Sequence, residues 1–224
     1  MAKRKIPFAI NEWYHCYNRG VDKRIVFQDE KDYYRFLEQL YLANNEVPLR
    51  RDDIGRRNFE EVLKMPRGKP LVAIGAFCLM PNHFHIVLKE VVEGGISAFM
   101  HKLGTAYVMY FNERNDRTGN LFVKPFRSQH VGDDRYFQYL ISYVHCNPVE
   151  LYEPKWKSGV VQDMKSLSAK ITEYPYSSLC AHENATSFIN NILDKTIYEV
   201  SQKVPVWKML KEANEYYQNN PKLH

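Results

Sequence analysis

Hydrophobic and polar positions alternate along this chain in a readable order. Trp13–Arg19 (WYHCYNR) interleaves aromatic and polar side chains with the two-residue period of a strand. Asp29 is placed to cap a helix running to about Asn44, in which Tyr33, Phe36, Leu37, Leu40 and Tyr41 recur on one face. Leu71–Met80 (LVAIGAFCLM) is a near-continuous apolar run and reads as a buried strand. Pro81-Asn82 breaks it, and His83–Lys89 (HFHIVLK) forms the next strand. A second helix is predicted from about Gly95 to Asn112, with Ile96, Phe99, Met100, Leu103, Tyr107, Tyr110 and Phe111 at helical spacing. Thr118-Gly119-Asn120 turns the chain into Leu121–Lys124, and Phe126–Val131 is a further candidate strand. Asp133 or Asp134 then caps a third helix, which Asn147-Pro148 ends.

The resulting order, β-α-β-β-α-β followed by a helix, predicts an α+β fold: an antiparallel sheet covered by helices on one face in the ferredoxin-like, RRM-like manner. Residues 46–70 carry seven basic and five acidic side chains and read as a surface insertion or long loop. Residues 1–150 form the principal domain and 151–224 a C-terminal extension, mostly helical, with YPYSS at 174–178, a candidate helix near 187–201 and another near 204–218.

Composition adds bounds. With 45% hydrophobic residues and 25% charged, the 224-residue chain has material for a packed core. No apolar run approaches the roughly 18–20 residues of a bilayer span, and no apolar signal core opens the sequence, so no membrane partner is expected. Four cysteines without CxxC spacing argue against a disulfide framework and point to a reducing cytoplasm. A formal charge of +5 is a weak case for nucleic acid, but all thirteen arginines lie at or before Arg135, while residues 151–224 carry nine lysines against eight acids. Any phosphate-binding surface is therefore expected in the first two-thirds of the chain.

The candidate chemistry begins with His83 and His85. Two residues apart on a strand, both imidazoles leave the same face, with Phe84, Ile86 and Leu88 on the other. For an isolated HxH, surface or hydrogen-bonded histidines on a half-exposed strand are the favoured reading, so the pair needs a third partner. Tyr143 and Asn147 supply one: four apart on the third helix, they share a face. An amide oxygen suits a hard divalent ion, and two His plus Asn leave coordination positions open for substrate oxygens. The chemistry implied is phosphoryl transfer, with metal polarising a phosphodiester while the phenol attacks phosphorus in line. A phenol with pKa about 10 needs activation by the metal, a neighbouring base or the local field. Against this stand the aromatic neighbours of Tyr143, which fit core packing, and a C-cap role for Asn147. His145 and Cys146, adjacent on the helix, diverge by about 100° and form no dyad.

At these residues the sequence resembles the single-tyrosine HUH transposases, most closely the REP-associated tyrosine transposase branch of the insertion-sequence transposase-like family. The resemblance covers about residues 11–150, with a weaker tail to about 180. It rests on WYHCYNRGVDKRIVF (13–27), LMPNHFHIVL (79–88), ISAFMHKLGTAYVMYFN (96–112), GNLFVKPFRS (119–128), YLISYVHCNPVE (139–150) and YPYSS, in the family's order. LMPNHFH joined to a distal Y-x-x-x-NPV is the specific element. The resemblance implies Mg²⁺ or Mn²⁺ held by His83, His85 and Asn147. It implies Tyr143 as the nucleophile that forms a 5′-phosphotyrosine and frees a 3′-hydroxyl, and single-stranded DNA hairpins as substrate. Tyr139 is the rival tyrosine but lacks the four-residue relation to Asn147.

Arg19, Lys89, Lys124 and Arg127, with the Lys3–Lys5 cluster, are the candidate DNA contacts, and Tyr or Phe rings could stack unpaired bases. The 46–70 segment, the length of the C-terminal extension and His145 depart from the compact family pattern. Monomer and homodimer both remain open. The competing reading is a non-catalytic nucleic-acid-binding module on the same scaffold; an RNA-directed or host-repurposed enzyme is a third.

Overall fold

A computed structural model describes residues 7–47, 49, 51–158 and 161–219. The Lys3–Lys5 cluster lies outside the described residues. Strands β1 (Trp13–Arg19), β2 (Val72–Met80), β3 (His83–Glu90) and β4 (Arg127–His130) build one sheet in the order β2-β3-β1-β4. Every neighbouring pair is antiparallel. Helix α1 (Glu30–Leu42) follows β1, the short α2 (Arg51–Ile54) and α3 (Phe59–Leu63) precede β2, and α4 (Gly95–Arg114) joins β3 to β4. This is the β-α-β-β-α-β arrangement predicted from the pattern.

The local causes are as read. The Asp29 carboxylate accepts hydrogen bonds from the backbone N–H groups of Lys31 and Asp32, starting α1. Helix α4 has no side-chain cap at Gly94; instead the buried Glu90 carboxylate accepts from Ile96 N at 2.7 Å. A negative group at a helix N-terminus is favoured by the dipole. Gly95 has to be glycine, since a Cβ there would sit 2.2 Å from the Leu71 carbonyl oxygen. The first core joins one sheet face to α1 and α4, burying Cys16, Ile74, Phe77, Leu79, Phe84, Ile86 and Leu88 against Phe36, Leu37, Leu40, Phe99, Leu103 and Tyr107.

The expectation that helices cover only one face is corrected. Helix α5 (Asp134–Cys146), capped by Asp133 through Tyr136 N, lies on the second face. Phe137, Leu140, Ile141 and Val144 pack there on Ala76, Cys78 and Met80 of β2 and Val87 of β3. The cause is the composition of β2, which is buried at every position and so presents apolar side chains both ways. The 46–70 segment also differs from a loop: it holds α2 and α3, and Val62 and Leu63 enter the first core.

Beyond α5 come α6 (Val149–Tyr152), α7 (Met164–Thr172), α8 (Leu179–Glu183), α9 (Ile197–Val200) and α10 (Val206–Asn219). The predicted helix near 187–201 is two separate short turns, Phe188–Asn191 and α9. Residues 174–178 run against β2: Tyr176 O accepts from Leu79 N, Ser178 N donates to Phe77 O, and Tyr174 Oη donates to Leu79 O. A third apolar cluster joins Cys146 and Val149 to Trp156, Leu167, Ile171, Met209 and Leu210.

Candidate active site

The alternation of β3 sends Phe84, Ile86 and Leu88 into the first core and His83, His85, Val87 and Lys89 to the second face. Helix α5 sits over β2 and β3 there, and its Tyr143 meets the histidines. The Tyr143 ring is 5.4 Å from that of His85, edge to face. Tyr143 is half-buried, packed between the second and third apolar clusters. Asn147, the α5 C-cap, is buried and donates from Nδ2 to the Tyr143 carbonyl at 2.9 Å. That bond uses the amide nitrogen and leaves the oxygen as the electron-rich end of the side chain. Asn147 therefore joins the group through Tyr143, one helical turn away. Tyr139 instead stacks on Tyr136, 6.5 Å between ring centres.

A third histidine belongs to this group and was not read from the sequence. Register places Tyr17 opposite His85, Arg19 opposite His83 and His15 opposite Val87, so the alternate residues of β1 share the histidine face. His15 Nε2 lies 2.8 Å from His85 Nδ1, the two rings are stacked at 5.0 Å, and the Tyr143 ring is 5.9 Å from that of His15. Burial lowers the His15 pKa to about 4, keeping the imidazole neutral. The alternation Trp13-His15-Tyr17 was visible in the sequence; the pairing of β1 with β3, which aims His15 at His85, was not.

On the outer side, His83 Nδ1 lies 2.7 Å from Asn82 Oδ1, and Asn82 Nδ2 donates to the carbonyl of Lys23 at 3.3 Å. That carbonyl belongs to a turn in which Asp22 (φ 57°) and Lys23 (φ 59°) both take the left-handed conformation. Non-glycine residues seldom adopt it, and such strain gathers where a backbone group must be aimed.

The candidate phosphate contacts separate into groups. Arg127 opposes Tyr17 and Arg19 opposes His83, so both exposed guanidiniums flank the histidine and tyrosine cluster. Lys89 projects from the same face at the far end of β3, its ammonium 5.9 Å from the Trp13 ring centre. Lys124 lines a cavity of about 840 Å³ with Phe36, Phe84, Leu103 and Phe126, on the α4 side of the sheet. The site face thus has a half covered by α5 and a half, over β1 and β4, presenting Tyr17, Arg19 and Arg127.

Among the described residues, no three His, Cys, Asp or Glu side chains are grouped as a metal cage. Two imidazoles and an amide are a donor set of another kind. Cys146 is buried, its pKa pushed up to about 12, first by desolvation. No helix among the described residues is long and apolar enough to cross a membrane.

The fold and this cluster define a class, a ferredoxin-like sheet with an HxH strand beneath a tyrosine helix. Residues 42–147, a little under half of the chain, match the sequence profile of the IS200-like transposases. The matched segment takes in His83, His85, Tyr143 and Asn147; β1, with His15, lies before it. The structure of a REP-associated tyrosine transposase bound to a REP hairpin has the same fold, with a TM-score of 0.50 at 12% identity. The likeness covers 91% of this chain and 99% of that one. No curated protein sequence matches.

Proposed function

We propose that this protein is a metal-dependent single-strand DNA endonuclease and strand transferase that acts at DNA hairpins through Tyr143. The observation that carries the reading is the meeting of Tyr143, edge-on, with the HxH strand, one helical turn from a buried asparagine. The hairpin enters from the likeness to the REP-associated transposase, whose structure contains one.

The residues fit a divalent ion. His83 and His85 would hold it with Asn147 as third ligand, and Mg²⁺ or Mn²⁺ accepts such a mixed nitrogen and oxygen set with positions to spare. When bound, the ion would polarise the phosphodiester and offset charge developing on its oxygens. Tyr143 Oη attacks phosphorus, the bond from phosphorus to the 3′ oxygen breaks, and Tyr143 keeps the 5′ phosphate as an ester. The phenol loses its proton and the departing 3′ oxygen gains one. Arg19 and Arg127, beside the cluster, would bind flanking phosphates, and the half-exposed Tyr17 ring would stack an unpaired base.

Incubation with Mn²⁺ and a hairpin oligonucleotide, resolved on a denaturing gel, tests the reading. A protein–DNA adduct with release of the upstream fragment, ending in a free 3′-hydroxyl, is expected, and Tyr143→Phe should abolish it. An undiminished adduct in that variant would overturn the assignment. Tight hairpin binding without cleavage, equal with and without chelator, would instead identify a binding module.

A further inference from the structure

Resting on that metal reading, we infer that His15 and Asn82 are positioning residues that set which ring nitrogen of each HxH histidine carries the proton. A neutral imidazole has one N–H and one lone pair, and only the lone pair can bind a metal. Which nitrogen is available is decided by the hydrogen bond that the other makes.

For His83 the partner decides the matter. The Lys23 carbonyl can only accept, so the end of the Asn82 amide that meets it is the NH₂ group. The opposite end, Oδ1, lies 2.7 Å from His83 Nδ1 and can also only accept. His83 therefore carries its proton on Nδ1 and keeps its lone pair on Nε2.

For His85 the partner is another histidine, and two arrangements are chemically possible. If His15 Nε2–H donates to His85 Nδ1, the neutral His85 has its proton on Nε2 and no lone pair there. If His85 Nδ1–H donates to His15 Nε2, the lone pair is on His85 Nε2 and matches that of His83. Only the second gives the HxH pair the same tautomer, and it requires His15 to hold its own proton on Nδ1. The 2.8 Å separation, the stacking of the rings and the burial of both residues, each 6% exposed, hold this contact in place of solvent. His15 thus acts on the metal through His85 without touching it. The β1–β3 pairing connects the site to a residue outside the segment that matches the transposase family.

The test is Mn²⁺ affinity of the full chain without DNA, followed by electron paramagnetic resonance. His15→Phe removes the acceptor and keeps a flat ring, and should weaken Mn²⁺ binding about 10- to 100-fold. His15→Gln, whose amide oxygen can accept from His85, should restore binding to within about threefold of the unaltered chain, which a role in packing alone would not explain. Asn82→Ala should weaken binding in the same range. With Mg²⁺, nitrogen-15 spectra of the unaltered chain should place the His83 and His85 protons on Nδ1, a readout that stands even if His15→Phe fails to fold. Mn²⁺ affinity that depends on His85 but is unchanged in His15→Phe, or a His85 proton on Nε2 in the Mg²⁺ form, would overturn the inference alone. Affinity no greater in the unaltered chain than in His85→Ala would remove the metal reading together with it.

Discussion

At the scale of single residues, the account turns on side chains that face one another across β1 and β3. Under the proposed function the two arginines opposite Tyr17 and His83 would carry phosphate contacts, while Lys124 lies on the other side of the sheet. Arg127→Ala and Arg19→Ala are therefore expected to weaken hairpin binding. Each should reduce the slope of log affinity against log salt by about one, whereas Lys124→Ala should leave the slope nearly unchanged. Titrating binding at several salt concentrations checks this. The same scale shows what was legible in the sequence. His83, His85, Tyr143 and Asn147 follow from two periodicities, alternation on a strand and a four-residue step on a helix. His15 does not, because it depends on the register between two strands 70 residues apart, which no local pattern encodes.

At the scale of elements, the helix that carries Tyr143 is fixed to the sheet by more than apolar contact. His145, fully buried on α5, lies with Nε2 2.9 Å from Ser178 Oγ, and its ring is 4.7 Å from that of His182. Ser178 in turn accepts from Phe77 N on β2. Burial, then the neighbouring His182, holds the His145 pKa well below its ordinary 6.5, and burial lowers that of His182. Both are neutral in the folded protein and take up protons when it unfolds. Stability should thus be undiminished by these groups above pH 6.5, and fall as pH drops from about 6.5 toward the folded values. The urea midpoint is expected to decline between pH 7 and pH 5, and His182→Gln should flatten that decline. At the start of α4, Gly95→Ala forces a Cβ against the Leu71 carbonyl, which as backbone can yield only by moving a strand end. A loss of about 1–3 kcal/mol is expected in urea unfolding.

At the scale of the whole molecule, the strand and helix order was legible because β1, β3 and the long helices have clean periods, β2 is a continuous apolar run, and turn or capping residues such as Asp29, Pro81-Asn82 and Asp133 separate them. The placement of α5 on the second face was not, since α5 follows β4 and its periodicity names a buried stripe without naming the face it covers. The chain beyond 150 was the least legible: its short helices have little periodicity of their own and take shape by packing Trp156, Leu167 and Met209 around the end of α5. Deleting residues 151–219 would expose Cys146 and Val149 and remove the 174–178 segment from the edge of β2. Circular dichroism should show a chain that no longer unfolds cooperatively, and a truncated protein with an intact thermal transition would contradict this dependence.

The central claim is that Tyr143, among the several tyrosines of α5, makes the bond to DNA. Trapping the adduct on a hairpin substrate with Mn²⁺, digesting with trypsin and sequencing the nucleotide-bearing peptide by mass spectrometry tests it most directly. The cleavage product beginning at Tyr136 contains Tyr136, Tyr139, Tyr143 and Tyr152, so fragmentation must resolve the position. The account predicts a single modified residue, Tyr143. A nucleotide on Tyr139 or any other side chain would contradict it.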